Sequence, residues 1–185
     1  MYNQLSKHWN NYYNQSKDFG LISSQTISRF LKLADPQLPK TCLDIGCGTG
    51  QLTRELNHRG YLCHGIDVSS SAIDIARSLT TRSDELTYQQ ANIVTLSSKT
   101  LPYSPYSLIT CKLVYAFIKD TPAFLAQVNS LLADNGIFVV ITPINTGDEK
   151  PIAVNYDQTL SELTGRFKRV ETFQDGHLAC FICQK

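Results

Sequence analysis

No stretch of this 185-residue sequence is apolar for long enough to cross a bilayer. The longest apolar run, Gly136 to Thr142, falls far short of the ~20 residues that a spanning helix needs. Met1 to Asn14 is polar and aromatic and lacks the apolar centre of a secretory signal. A cytoplasmic protein with its six cysteines reduced is therefore expected. Charge of one sign is missing too. Against 17 Lys and Arg stand 16 Asp and Glu, and the net charge of +1 gives no strong pull toward nucleic acid or a membrane. Residues 1–40 hold a small local excess, five basic residues against two acidic ones. His8, His58, His64 and His177 have no metal-ligand spacing. The one Cys-x-x-Cys pair, Cys180 and Cys183, has no second pair nearby. On a strand its members point to opposite faces, so buried core cysteines are expected there, and no metal. Internal repeats, linkers and low-complexity segments are absent. What remains is ordinary: 42% hydrophobic and 18% charged residues, in a length that suits one domain able to bury about 70% of its unfolded surface.

The most informative stretch is Thr41-Cys42-Leu43-Asp44-Ile45-Gly46-Cys47-Gly48-Thr49-Gly50. An apolar run reaches an acid, and three alternate glycines follow. This reads as a buried strand ending in a tight turn, where missing Cβ atoms let backbone approach a ligand closely. Gln51 to Arg59 then carries Leu52 and Leu56 on one helical face and stops at Gly60. Strand, glycine turn and helix open a doubly wound nucleotide-binding unit. The dinucleotide fingerprint wants glycine where Gln51 stands. Asp44 would repel a pyrophosphate but suits a ligand with positive charge. S-adenosylmethionine (SAM), with an ammonium, a sulfonium and no phosphate, is such a ligand.

Leu43-Asp44-Ile45-Gly46-Cys47-Gly48-Thr49-Gly50 resembles the first motif of the class I SAM-dependent methyltransferases, residue for residue. The resemblance is close over about 41–145, architectural over the tail and loose over the first 40 residues. It implies one domain over 1–185, with 1–40 as an N-terminal helical cap and 41–185 as a Rossmann-like core. The fold class expected is α/β: a doubly wound, mostly parallel seven-stranded sheet with a C-terminal antiparallel hairpin and helices on both faces.

The rest of the chain reads in the same sense. A short helix is expected within Met1–Phe19, and a second capped by Ser23 or Ser24 with Ile27, Phe30 and Leu31 inside. Strands are expected at Tyr61–Asp67, Leu86–Gln90, Leu108–Cys111 and Ile137–Ile141, the last apolar throughout, as a central parallel strand requires. Helices are expected after Ser69–Ser71 and from Asp120-Thr121-Pro122 to Asn135-Gly136. Pro143–Tyr156 reads as a loop, Asp157 as the cap of a short helix ended by Gly165, and Asp175-Gly176 as a hairpin turn.

Asp67 ends the second strand 17 residues after Gly50, where an acid can accept both ribose hydroxyls of an adenosine; it can also serve as a cap before Ser69. The resemblance gives Asp67 the ribose role, with Val68 beside it. Asn92 stands where the family usually has an aspartate to the adenine amino group, and Ile93 offers a backbone N–H to the ring. Cys111 lies where backbone passes the methionine end of SAM. With Tyr13, Asp44, Gly46, Cys47, Gly48 and Gly50 these form the expected cofactor set. Tyr12 and Tyr115 are the expected acceptor-binding residues, with Phe117 a further candidate, and Tyr12 and Tyr13 resemble aromatic positions that close over SAM. No Pro-Cys pair precedes Leu113 and no Asn-Pro-Pro-Tyr follows the fourth strand, which argues against DNA methylation. The resemblance implies in-line methyl transfer to a small-molecule acceptor, leaving S-adenosylhomocysteine (SAH). No metal, DNA or membrane is implied, RNA is disfavoured, and the state is monomer or homodimer. His8, Tyr12 and Tyr115 are the only candidates for a base, and none is assigned. A SAM-binding regulator without turnover, an NAD-dependent reductase and an RNA or protein methyltransferase are the competing readings.

Overall fold

In a computed structural model, residues 2–81, 85–97, 101–145 and 152–185 are described. Two helices, α1 (Tyr2–Asn14) and α2 (Ser24–Leu31), precede alternating strands and helices: β1 (Thr41–Ile45), α3 (Gln51–His58), β2 (Leu62–Asp67), α4 (Ser70–Ser78), β3 (Leu86–Gln90) and β4 (Tyr106–Lys112). A 3₁₀ turn (Tyr115–Phe117), α5 (Thr121–Leu131), β5 (Leu132–Pro143), α6 (Tyr156–Thr164), β6 (Arg169–Asp175) and β7 (Leu178–Gln184) complete the chain. The sheet order is β3-β2-β1-β4-β5-β7-β6. Neighbours from β3 to β5 pair in parallel. β7 is antiparallel to both β5 and β6, so the hairpin inserts its second strand between β5 and β6.

Side-chain alternation explains why the central strands are apolar throughout. On β5, Phe138 and Val140 join a core under α5 and α6, whereas Ile137, Val139 and Ile141 join a second core under α2, α3 and α4. Each strand residue thus meets a helix layer on its own side. Cys183 belongs to the first core and Cys180 to the second, so the Cys-x-x-Cys pair is split by the sheet. All six cysteines are buried free thiols. Among the described residues no helix is long and apolar enough to cross a membrane.

Helix starts follow side-chain chemistry. Ser23, Ser69 and Asp120 accept from the backbone N–H groups of Thr26, Ala72 and Ala123 at 3.1, 3.1 and 3.0 Å. The cap of α6 differs from expectation. Asn155 accepts from Gln158 N–H at 2.9 Å, and Asp157 sits in the first turn, where its charge favours the helix dipole. β5 also starts earlier than expected, directly after α5, with Asn135 in the left-handed region (φ 62°) before the run enters the sheet. The expected loop Pro143–Tyr156 lies in part outside the described residues; its described ends are tied by a bridge between Ile144 and Val154.

Candidate active site

Strand order reverses between β1 and β4, and open α/β sheets bind ligands at such a switch point, beyond the carboxyl ends of the strands. The principal pocket lies there. Its floor is the glycine turn after β1. One wall comes from the ends of β2 and β3 (Asp67, Val68, Asn92, Ile93), the other from the segment after β4 (Lys112, Val114, Phe117, Ile118), and α1 with its following strap closes the top (Trp9, Tyr13, Asp18, Phe19).

The turn is built for close approach. Gly46 and Gly48 have φ of 67° and 55°, and a Cβ on Gly48 would stand 2.7 Å from the Tyr13 hydroxyl. The turn is tied to β2 by its own amides: Gly46 N–H and Cys47 N–H donate to the Ile66 carbonyl at 2.7 and 3.0 Å. Gly48 N–H donates to Asp67 Oδ2 at 2.9 Å, and Ser69 N–H to Asp67 Oδ1 at 2.8 Å. The capping and ligand-facing readings of Asp67 therefore coexist. Each oxygen takes one backbone donor and keeps acceptor capacity, because a carboxylate offers about four lone-pair sites. Burial raises the Asp67 pKa against the lowering effect of those two amides.

Asp44 is 2% exposed at the pocket floor. Thr53 and Thr110 hydroxyls donate to its two oxygens, each at 2.7 Å. Burial pushes its pKa up, and the two hydroxyls and the Lys112 charge oppose this. A carboxylate so held gives the floor a fixed negative field. Above it, Asp18 Oδ2 accepts from Thr49 Oγ1 at 2.6 Å and Gln51 Nε2 at 2.7 Å, while Lys112 Nζ donates to the Phe19 carbonyl at 3.2 Å. The strap thus grips both sides of the floor. Asn10 Oδ1 accepts from Ser69 Oγ at 2.7 Å and fixes α1 to the start of α4.

The pocket gathers Tyr13, Asp44, Gly46, Cys47, Gly48, Asp67, Val68, Asn92 and Ile93. Asn92 Oδ1 accepts from Val94 N–H at 3.0 Å, which aims its amide along the turn. Four other expected residues do not line it. Gly50 is the N-cap of α3, beneath the Tyr88 ring. Cys111 is wholly buried and paired within the sheet with Ile45 and Val140. The pocket meets the chain one residue later, at Lys112. Tyr115 is 4% exposed, donates its hydroxyl to Glu162 at 3.0 Å and packs edge-on to Phe124 in the core. The 3₁₀ turn sends Phe117 into the pocket in its place, perpendicular to Trp9 at 5.3 Å. Tyr12 stacks on the outer face of the wall, 5.0 Å from Phe19 with 9° between planes. Trp9, Asp18, Phe19 and Lys112 are site residues that sequence reasoning did not assign. The aromatic crowding of Met1–Phe19 was the available signal for Trp9 and Phe19, Lys112 adjoins the expected Cys111 at the end of the fourth strand, and nothing local marked Asp18.

A carboxylate at the end of β2, an amide after β3 and a glycine turn after β1 thus share one pocket at the switch point of a Rossmann-like sheet. The fold is that of the class I methyltransferases. The chain belongs to the family described as "Methyltransferase domain", whose pattern matches residues 15–181. It is similar to a ubiquinone biosynthesis O-methyltransferase of Nitrosomonas europaea, 26% identical over 145 residues, 78% of this chain and 60% of that protein. The chain thus spans about three fifths of the length of such curated relatives. In fold it resembles magnesium protoporphyrin IX methyltransferase of Synechocystis PCC 6803 with bound SAH, at a TM-score of 0.69 and 16% identity, covering 98% of this chain and 97% of that one. A SAM-dependent methyltransferase of Methanosarcina mazei gives a TM-score of 0.67 at 18% identity, covering 89% and 99%.

Proposed function

We propose that the chain is an enzyme that transfers a methyl group from SAM to a small, largely apolar acceptor by in-line displacement. The observation that carries this reading is the single pocket in which Asp67, the glycine floor and Asp44 adjoin a wall of Trp9, Phe19, Phe117 and Ile118. SAM supplies an electrophilic methyl group on a sulfonium, whose departure as a neutral thioether needs no acid. Asp67 holds the ribose hydroxyls, and Asn92 and Ile93 bound the adenine. The aromatic wall excludes water and aligns the acceptor, which is the main work such a displacement asks of a protein. The acceptor side of the wall is apolar, so its walls favour a nucleophile that needs little help to lose a proton. Relatives named for ubiquinone biosynthesis and structures named for magnesium protoporphyrin IX and plantazolicin methylation support a small-molecule acceptor.

We further infer one domain over 1–185, with 1–40 as its cap, because Asp18 and Phe19 bond directly to Thr49, Gln51 and Lys112. A cytoplasmic location fits six free, buried thiols. Calorimetry with SAH, followed by incubation of the protein with radiolabelled SAM and a fractionated cell extract, tests the reading. Label is expected in the low-molecular-mass fraction. Binding without transfer to any fraction refutes turnover, and label confined to RNA or protein refutes the acceptor class.

A further inference from the structure

Lys112 is the one cation lining the pocket among the described residues, and it makes no direct ion pair with a described carboxylate. Its Nζ donates to the Phe19 carbonyl at 3.2 Å. No described carboxylate lies within the 4.0 Å of an ion pair. The three carboxylates that share the pocket are engaged elsewhere: Asp18 by Thr49 and Gln51, Asp44 by Thr53 and Thr110, Asp67 by two backbone amides. The Lys112 ammonium carries three protons and gives one to a described acceptor, so it has donor capacity left for an anion in the pocket. Burial pulls the Lys112 pKa down, and the charges of Asp44 and Asp18 hold it up.

Sheet order says what would meet it. Asp67 and the Asn92–Ile93 turn lie on the β2–β3 side of the glycine floor, and Lys112 lies on the β4 side. An adenosine seated with its ribose on Asp67 and its base toward Asn92 must send its 5′ substituent across the floor toward Lys112. In SAM that substituent ends in an amino acid, whose carboxylate is the only anionic group of the ligand. Its ammonium then faces the field of Asp44 and Asp18.

We propose that Lys112 reads the carboxylate of the cofactor's amino-acid end and thereby makes the site selective for SAM and SAH over adenosine thioethers that lack it. The proposal rests on the SAM-binding reading above and adds one residue with a defined partner atom group. A charge-assisted hydrogen bond in a half-buried site corresponds to about a tenfold difference in affinity or more.

The test is calorimetry of the wild type, Lys112→Met and Lys112→Arg with SAH, decarboxylated SAM and 5′-methylthioadenosine. The wild type is expected to bind SAH at least tenfold more tightly than either carboxylate-free ligand. Lys112→Met should lose that preference while still binding 5′-methylthioadenosine, which also shows that it is folded. Lys112→Arg should recover most of the preference. An undiminished preference in Lys112→Met, or an equal loss for all three ligands, overturns the assignment and leaves the SAM reading standing. Failure of the wild type to bind SAH overturns both.

Discussion

Replacing Asp67 by alanine separates the two jobs of this carboxylate. It accepts from Gly48 N–H at 2.9 Å and Ser69 N–H at 2.8 Å, and under the proposed function its remaining lone pairs take the two ribose hydroxyls. Losing the polar partners of the ribose should weaken SAH binding by about 1–3 kcal/mol, roughly five- to 150-fold in Kd. The free protein loses something as well, because two buried amides are left without an acceptor. Part of that cost is offset by removing a buried charge whose pKa is raised. The sign follows from linkage: a raised folded pKa means that the stability Asp67 contributes is present below its ordinary value of 3.8 and is lost as pH rises through the folded value. Above the folded value that contribution is gone, and Asp67→Ala should cost less free energy in folding than in SAH binding. Asp67→Asn keeps one acceptor oxygen and should fall between. Calorimetry with SAH at pH 7.5, beside thermal melts of the same samples, is the assay. Unchanged affinity in Asp67→Ala refutes the ribose assignment, and a collapse of the melt with no binding to measure in either variant would place the residue with the turn alone.

Three further outcomes are expected. Gly48→Ala, at φ 55° and with its new Cβ 2.7 Å from the Tyr13 hydroxyl, should cost about 1–2 kcal/mol of backbone strain and displace the Tyr13 ring, reducing SAH affinity more than tenfold by calorimetry. Phe117→Ala should raise KM for the acceptor severalfold, whereas Tyr115→Phe, which only releases Glu162, should change kcat/KM less than twofold; steady-state kinetics that reverse this order refute the placement of the acceptor wall. His64 is buried beside Thr87 and Gln89, and burial lowers its pKa to about 4. The stability this neutral ring provides is complete above its ordinary pKa of 6.5 and is lost as pH falls through about 4, up to roughly 3 kcal/mol. Urea unfolding of wild type and His64→Gln between pH 7.5 and 4 should show the extra slope in the wild type only.

Much of the fold was legible because its signals are local. Glycines at 46, 48 and 50, caps at Ser23, Ser69 and Asp120, and the period-2 hairpin around Gly176 each fix a short piece of backbone with neighbouring residues. The glycine floor and the β2–β3 side of the pocket are local in the same way, since they are the ends of strands. The side after β4 is not. Whether Tyr115 or Phe117 faces the pocket depends on a three-residue 3₁₀ turn, in which a shift of one or two positions rotates a side chain from core to cavity. Lys112 rather than Cys111 lines the pocket because β4 runs one residue past the expected end and Cys111 remains inside the sheet. The α6 cap fell to Asn155 over Asp157 because both residue types cap well, and only the start of the helix decides between them.

The way α1 is held has a further consequence, for the rate at which the site opens. Among its described side chains, Tyr13 alone is buried, and much of the remaining hold on α1 and its strap comes from Asn10, tied to the start of α4, and from Asp18 and Phe19, whose partners line the pocket. So thin an apolar anchorage makes α1 the first part of the fold to open, at a free energy well below that of global unfolding. Amide hydrogens of Asn10–Asn14 should therefore exchange early in the free protein, while those of β1 and β5 wait for the whole domain. A saturating ligand beneath the helix should slow that early exchange by a factor near 1 + [L]/Kd, so the exchange rate of α1 is a binding isotherm read from the cap.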